Sequence, residues 1–215
     1  MNDTAQAERG AALGREELAE IARHGVPKQF AARTVLVSEG ERTDSLYIIL
    51  EGRVRPYVSD ADGREAVLSV MGPGEYFGEV AFDAGPRSAS VMTIEPCRLL
   101  VVSREEFAAF VKRSPAFAAH FINHLIARIR ALTENVRSLA LMDAYGRVAR
   151  LLLEESITEK GVRFIPEKLT QADIASRVGC TREMVSRIFK DLVQGGYVSV
   201  QPDRIVINRK PPARW

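Results

Sequence analysis

The chain has 215 residues, 46% of them hydrophobic, and a formal net charge of +2; this allows one large or two modest domains with an adequate core and excludes any argument from bulk charge. The distribution says more: from Asp143 onward there are 13 Lys+Arg against 9 Asp+Glu, and residues 1–142 hold the other 17 and 19, so a +4 tail follows a −2 front, a weak hint of nucleic-acid contact in the last third. Two distant cysteines, Cys97 and Cys180, exclude a disulfide framework and zinc spacing.

The opening "MNDTAQAERGAALGREE" lacks the apolar stretch of a signal peptide. No run of about 18 apolar residues follows, so a cytoplasmic protein without a membrane partner is expected. "REELAEIARHG" reads as a short amphipathic helix closed by Gly25. From Arg33 to about Val102 the pattern changes to short alternating runs, among them "TVLV", "SLYIILEG", "RVRPYVSD", "EAVLSVM", "SASVMTI" and "CRLLVV". Turn-forming stretches divide them, and "DADG" between two alternating runs signals a hairpin. Six or more short strands at this spacing predict an antiparallel barrel or roll.

Within that region "FGEVAFDAGPRSAS", Phe77 to Ser90, sets Glu79 and Arg87 eight positions apart around a glycine-punctuated loop. One carboxylate, one guanidinium and small neighbours make it a candidate anion site.

Ser103, with Glu106 three residues on, predicts a capping box for "REEFAAFVKR". The longest periodic segment follows, roughly Ala118 to Leu141. Ile122, Leu125, Ile129, Leu132, Val136 and Leu139 recur at steps of 3, 4, 3, 4 and 3, a heptad seam over two and a half repeats. Such a seam fits a parallel self-dimer; an amphipathic helix lying on its own barrel would also carry an apolar stripe. His120 and His124 share one side of this helix, but no third metal or haem ligand is evident and exposed histidines at this spacing are commonly incidental. No metal is expected.

Asp143 interrupts the pattern and marks the expected hinge before "DAYGRVARLLLEES". The most specific stretch is "LTQADIASRVGCTREMVSRIFKDLVQGGYVSV". Thr170 with Asp173 forms a capping box for a first helix, Gly179 and Cys180 supply a tight turn, and Thr181 caps a second helix. At 100° per residue from Arg182, the polar Arg182, Glu183, Ser186, Arg187 and Lys190 fall between 0° and 140°. Met184, Val185, Ile188, Phe189 and Leu192 fall between 200° and 340°. One face packs and the other presents long hydrogen-bonding side chains, as a helix-turn-helix in a major groove requires. Arg suits guanine O6 and N7, and Glu suits cytosine N4; Thr170, Thr181 and nearby backbone N–H groups suit phosphates, and Gln171 is a further DNA-binding candidate. The alternative is a solvated charged helix. "GYVSVQPDRIVINR" reads as two strands around Pro202-Asp203, a plausible wing.

"LALMDAYGRVARLLL" and "VGCTREMVSRIFKDL" make the chain resemble the cyclic-AMP receptor protein and fumarate–nitrate regulator family of bacterial transcription factors, over roughly Phe30 to Ile207. The resemblance implies an α+β protein. It comprises a jelly-roll-like, cyclic-nucleotide-binding antiparallel β-roll with flanking helices (1–114), a dimerisation helix and hinge (115–142) and a winged helix-turn-helix (143–215). Arg182, Glu183 and Arg187 match base-reading positions of the cyclic-AMP receptor branch, which implies a TGTGA-like palindromic operator of double-stranded DNA. RNA polymerase is a further implied partner, with the segment around Thr158 to Gly161 as a candidate contact. Gly78, Glu79, Arg87, Ser88 and Ala89 match the family's phosphate-binding cassette, and backbone N–H groups of Glu79, Val80 and Ala81, with Ser88, would complete an anion nest.

A cyclic nucleotide suits those residues chemically: Arg87 would neutralise the phosphate, Glu79 would accept from the ribose hydroxyl, and Gly78 would permit close backbone approach. The alternative is an internal Arg–Glu salt bridge in a family member that binds something else or nothing. Arg128, Leu132 and Thr133 match ligand-adjacent positions of the dimer helix, but Leu132 replaces a hydroxyl residue, so base selectivity between cyclic AMP and cyclic GMP stays open. No cysteine precedes residue 40 to hold an iron–sulfur cluster, and Cys97 and Cys180 read as packing residues. With no nucleophile–base pair and no paired catalytic carboxylates, an enzyme is not expected.

Overall fold

The computed structural model describes residues 15–79, 85–167 and 169–212, and the chain consists of two compact units that divide between Arg130 and Ala131. In the first, helix α1 (Arg15–Ile21) runs into a 3-10 turn (Ala22–His24). Eight strands follow: β1 (Val26–Phe30), β2 (Val35–Val37), β3 (Ser45–Glu51), β4 (Val54–Ser59), β5 (Glu65–Val67), β6 (Tyr76–Phe77), β7 (Ser90–Thr93) and β8 (Cys97–Ser103). Helix α2 (Arg104–Arg113) and the long α3 (Pro115–Leu141) complete the series, and α3 continues across the division between units.

The strands form two antiparallel four-stranded sheets, ordered β1-β8-β3-β6 and β2-β7-β4-β5. This is the roll that the alternating runs predict. Period-two alternation explains why the first sheet is buried on both faces. Ile49 and Leu99 point into the roll beside Val37, Val54, Phe77 and Val91. Their neighbours Ile48 and Leu100 point the other way, onto Ile21, Phe107, Phe110 and Phe117 of the helices. The "DADG" hairpin joins β4 to β5, with Gly63 at φ +76° and its N–H donating to Asp60 O at 3.0 Å. Gly25 ends the first helical segment in extended backbone; a Cβ there would lie 2.6 Å from Leu100 Cγ, so close packing sets its identity.

Ser103 caps α2 by accepting from the Glu106 N–H at 3.2 Å, but the reciprocal half of the expected capping box is missing. The Glu106 carboxylate turns instead to His24 Nδ1, 3.1 Å away, a partner remote in sequence.

The second unit holds α4 (Ala144–Glu154), α5 (Gln171–Val178), α6 (Arg182–Gln194) and the strands β9 (Ile157–Glu159), β10 (Val162–Ile165), β11 (Val198–Val200) and β12 (Ile205–Ile207). The strands make one antiparallel sheet ordered β11-β12-β10-β9. The wing expected around Pro202-Asp203 is β11–β12; β9 and β10, which the sequence pattern does not announce, double it. Buried residues recur at helical spacing: Tyr145, Val148, Ala149 and Leu152 on α4, Ile174 and Val178 on α5, Val185, Ile188, Phe189 and Leu192 on α6. Asp143 is the N-cap of α4, its Oδ1 accepting from the Gly146 N–H at 2.7 Å.

Candidate effector site and nucleic-acid interface

Arg87 is buried at 5% exposure. Its backbone is clamped to the loop after β2, through Arg87 N–H to Glu41 O at 2.8 Å and Gly40 N–H to Arg87 O at 2.9 Å. Its head donates from Nε to Thr43 Oγ1 at 2.8 Å, from Nη1 to Gly78 O at 2.9 Å and from Nη2 to Ser45 O. All three acceptors are neutral, and no carboxylate among the described residues pairs with it within 4 Å. Burial pulls its pKa down, opposed at longer range by Tyr47, Glu79, Asp44 and Glu41. Of the five N–H donors a guanidinium carries, three are engaged among the described residues. The site therefore holds a desolvated cation with donors to spare, an arrangement that favours an anion.

Gly78 is needed for a reason within the chain itself. Its φ is +95°, and a Cβ would come within 2.7 Å of Arg87 Nη1 and 2.8 Å of Ser45 O. The glycine makes room for the guanidinium and for its own turn. Glu79, with its side chain 10% exposed, pairs through Oε1 with Arg128 Nη1 of α3 at 2.8 Å. Its Oε2 is buried and accepts no hydrogen bond among the described residues. The internal Glu79–Arg87 salt bridge weighed as an alternative is not the pairing found; Glu79 pairs with Arg128 instead. Ser88 is exposed and Ala89 half-buried, while Val80 and Ala81 lie outside the described residues. Thr43 and Ser45, which hold Arg87, lie more than 40 positions from it; no local pattern points to them.

Leu132 and Thr133 are exposed and belong to the second unit. Along α3, Ile122 and Ile129 are 56% and 62% exposed and Leu125 is half-buried; Leu132, Val136 and Leu139 range from 47% to 65%. Ile126, which the strict heptad omits, is exposed beside them. His124, read as exposed from the sequence, is buried and stacked on Tyr76 with ring centres 4.2 Å apart. No group of three or more metal-ligating side chains occurs among the described residues.

In the second unit Thr170 and Asp173 form the expected capping box, and Gly179 takes the left-handed conformation at φ +68°. Thr181 Oγ1 caps α6 by accepting from the Met184 N–H at 3.2 Å. Arg182, Glu183, Ser186, Arg187 and Lys190 are all exposed, Gln171 is half-buried and Thr170 exposed. Met184 departs from expectation: it lies at the rim of the packed stripe and is 42% exposed. The Glu183 carboxylate is held below the usual range by its own backbone N–H and by the Thr181 hydroxyl, which keeps it an acceptor.

The arginines of this unit fall into two groups. Arg150 pairs with Glu134 and Glu154, Arg177 with Glu155, and Arg204 with Asp203. Arg147 and Arg163 donate to backbone carbonyls, and Arg209 lies 4.2 Å over the Tyr197 ring. Arg182 and Arg187 join no ion pair among the described residues. Cys97 and Cys180 are both free thiols with pKa values raised by burial. No helix among the described residues is long and apolar enough to cross a membrane.

Comparison with known proteins extends this geometry. Residues 27–114 match the cyclic nucleotide-binding domain and residues 146–211 the Crp-like helix-turn-helix domain. The CRP-like cAMP-activated global transcriptional regulator of Mycobacterium tuberculosis is 32% identical over 196 residues, covering 89% of this chain and 88% of the relative. The chain belongs to the Crp–Fnr family of transcription regulators. Its members are regulators rather than enzymes. The cAMP-activated global transcriptional regulator CRP of Pasteurella multocida is 31% identical over 83% of this chain and 88% of its own. In fold, the chain is similar to the c-di-GMP responsive global regulator CLP of Xanthomonas campestris, with a TM-score of 0.78 and 24% identity over 88% of this chain and 97% of that one. The α+β architecture of roll, long helix and helix-turn-helix is that of the family.

Proposed function

We propose that this Crp–Fnr regulator is a cytoplasmic homodimer that binds a cyclic nucleotide in the roll and reads a TGTGA-like palindrome. The observation that carries the reading is Arg87, a buried cation whose hydrogen-bond partners among the described residues are neutral, beside a Glu79 oxygen that accepts no hydrogen bond from them. A cyclic phosphate supplies the single negative charge that Arg87 requires. A ribose 2′-OH supplies the donor for Glu79, and exposed Ser88 can add a bond to a phosphate oxygen. Cyclic AMP is the proposed effector, since the relatives from Mycobacterium tuberculosis and Pasteurella multocida are described as cAMP-activated; cyclic GMP is the test's second ligand.

The apolar seam from Ile122 to Leu139 is the proposed dimer interface, because water-exposed isoleucine, leucine and valine at heptad spacing are stabilised by pairing. Dimerisation brings two copies of α6 to half-sites about one helical turn, roughly 34–36 Å, apart. Arg182, Glu183 and Arg187 read bases, while Thr170, Gln171, Thr181, Ser186 and Lys190 lie toward phosphates or groove edges. Thr158 to Gly161, the end of β9 and the turn into β10, is the proposed contact for RNA polymerase.

Calorimetry of the full chain against cyclic AMP and cyclic GMP, with and without operator, tests the reading. Saturable heat and an affinity changed by operator, about 5–150-fold for a typical allosteric coupling, are expected. Equal affinities in both titrations overturn the allosteric link. Leu132, exposed and continuing the seam, favours a second reading in which the dimer binds operator unaided; no heat with either nucleotide, together with tight operator binding, selects it. Ile129→Asp, which puts a charge in the seam, is expected to sediment as a monomer and lose operator binding; an unchanged dimer overturns the interface.

A further inference from the structure

We propose that Arg147 is a positioning residue: it clamps the start of the recognition helix to the end of the long helix and thereby sets the half-site spacing the dimer accepts. The inference rests on the dimeric, palindrome-reading function proposed above. Arg147 lies one turn into α4, and its side chain reaches two other places in the same unit. Its Nε donates to Val178 O at 2.7 Å and its Nη2 to Gly179 O at 3.2 Å, at the carboxyl end of α5. Its Nη1 donates to Met142 O at 2.8 Å, immediately after the end of α3.

The physical reason for the clamp is that helix carboxyl ends carry unpartnered carbonyls and partial negative charge. At the end of α5, Gly179 and Cys180 both turn their N–H groups back to Ala175 O, and the carbonyls of Val178 and Gly179 are taken by Arg147. One planar guanidinium thus serves two helix ends, which a lysine ammonium on a single stem matches poorly. The base of the side chain is fixed as well, because Asp143 caps α4 and Asp143 O accepts from the Arg147 N–H at 3.1 Å.

Two residues, Cys180 and Thr181, separate this grip from Arg182, and the Arg147 charge is felt at the Cys180 thiol. A second contact runs in parallel: a Cβ on Gly179 would lie 3.2 Å from Leu139 Cδ2. Unlike Arg150 and Arg177, Arg147 has no acidic partner among the described residues. Its three donors go to backbone, so its task is to fix where chain segments lie. A small rotation at this grip displaces the two copies of α6 symmetrically, in opposed directions across the dimer axis, and the distance between their base contacts changes.

The test uses the full-length protein with cyclic AMP and a set of palindromes whose spacer is lengthened or shortened by a base pair or two. Wild type should prefer one spacer. Arg147→Ala should reduce that discrimination about tenfold, mid-range for residues that carry coupling, while single-base preferences inside each half-site are retained. Arg147→Lys should fall between. Uniform weakening with an unchanged spacer profile, or no change at all, overturns the proposal. Should Arg147→Ala fail to fold, Arg147→Lys decides by amide exchange: faster exchange at Met184 and Val185 supports the clamp, and wild-type exchange there overturns it. A wild type indifferent to spacer removes the paired half-site reading instead, and the exchange measurement still judges the clamp.

Discussion

Arg87 in the roll and Arg182 on the recognition helix carry the same side chain under opposite conditions. The first is buried, held by three hydrogen bonds to Thr43, Ser45 and Gly78, with a pKa pulled down by burial. The second is exposed and joins no ion pair among the described residues. A buried guanidinium must be assembled before its ligand arrives, since every donor left unmatched in a dry site is costly. An exposed one stays hydrated until DNA replaces the water. Hence the proposed effector site draws on residues spread from Glu41 to Arg128, whereas the proposed reading face lies on one side of one helix.

That contrast breaks most sharply at Arg87. Arg87→Ala leaves the carbonyls of Ser45 and Gly78 without their donor, a loss of about 1–3 kcal/mol of stability. It also removes the counter-charge proposed for the phosphate, for which a loss of roughly 2–5 kcal/mol in nucleotide affinity is expected. Calorimetry and thermal unfolding should therefore both move. A variant that melts lower but binds nucleotide as wild type does would make Arg87 a structural residue only. Arg87→Lys, which keeps the charge but cannot span three acceptors, should recover part of the affinity and little of the melting temperature.

Arg182→Ala should show the opposite profile. Its side chain is exposed and joins no ion pair among the described residues, so unfolding should shift within about 0.5 kcal/mol, while operator binding falls by roughly 1–3 kcal/mol and preference relaxes at one base. Uniform weakening on every sequence would make it a phosphate contact. A clear drop in melting temperature would collapse the distinction between the two arginines.

The same contrast explains what was legible in the sequence. Short-range physics was: the "DADG" turn, the Thr170–Asp173 capping box, the Thr181 cap, and the split of α6 into packed and polar faces all depend on residues within a turn or two of each other. The seam on α3 was visible because periodicity and exposure coincide. What stayed hidden was carried by contacts distant along the chain. Nothing near Glu106 announces His24, and nothing near Arg87 announces Thr43. The Glu79–Arg128 pair spans 49 positions. β9 and β10 were missed because strands of three and four residues, mostly exposed, lack a period to detect. Met184 shows the limit of the helical wheel: at the edge of a stripe, angle alone does not decide burial.

The smallest effect expected is at Thr181, and it bears on the reading head alone. Its hydroxyl has two duties, accepting from the Met184 N–H and holding the Glu183 carboxylate low. Thr181→Ala should cost about 1 kcal/mol of stability through the lost cap. It should also let the Glu183 pKa rise toward its ordinary value. Because that pKa is depressed in the folded protein, the contribution of ionised Glu183 is fully present above the ordinary carboxylate range and is lost as pH falls through the folded value. A proton on Glu183 would weaken the contact proposed with cytosine N4, since one of the two oxygens becomes a donor. Discrimination at the base facing Glu183 should accordingly fade at a higher pH in Thr181→Ala than in wild type, with Thr181→Ser behaving as wild type. Identical acid profiles in all three proteins would mean that the hydroxyl only caps the helix, and that Glu183 owes its acidity to its own backbone N–H.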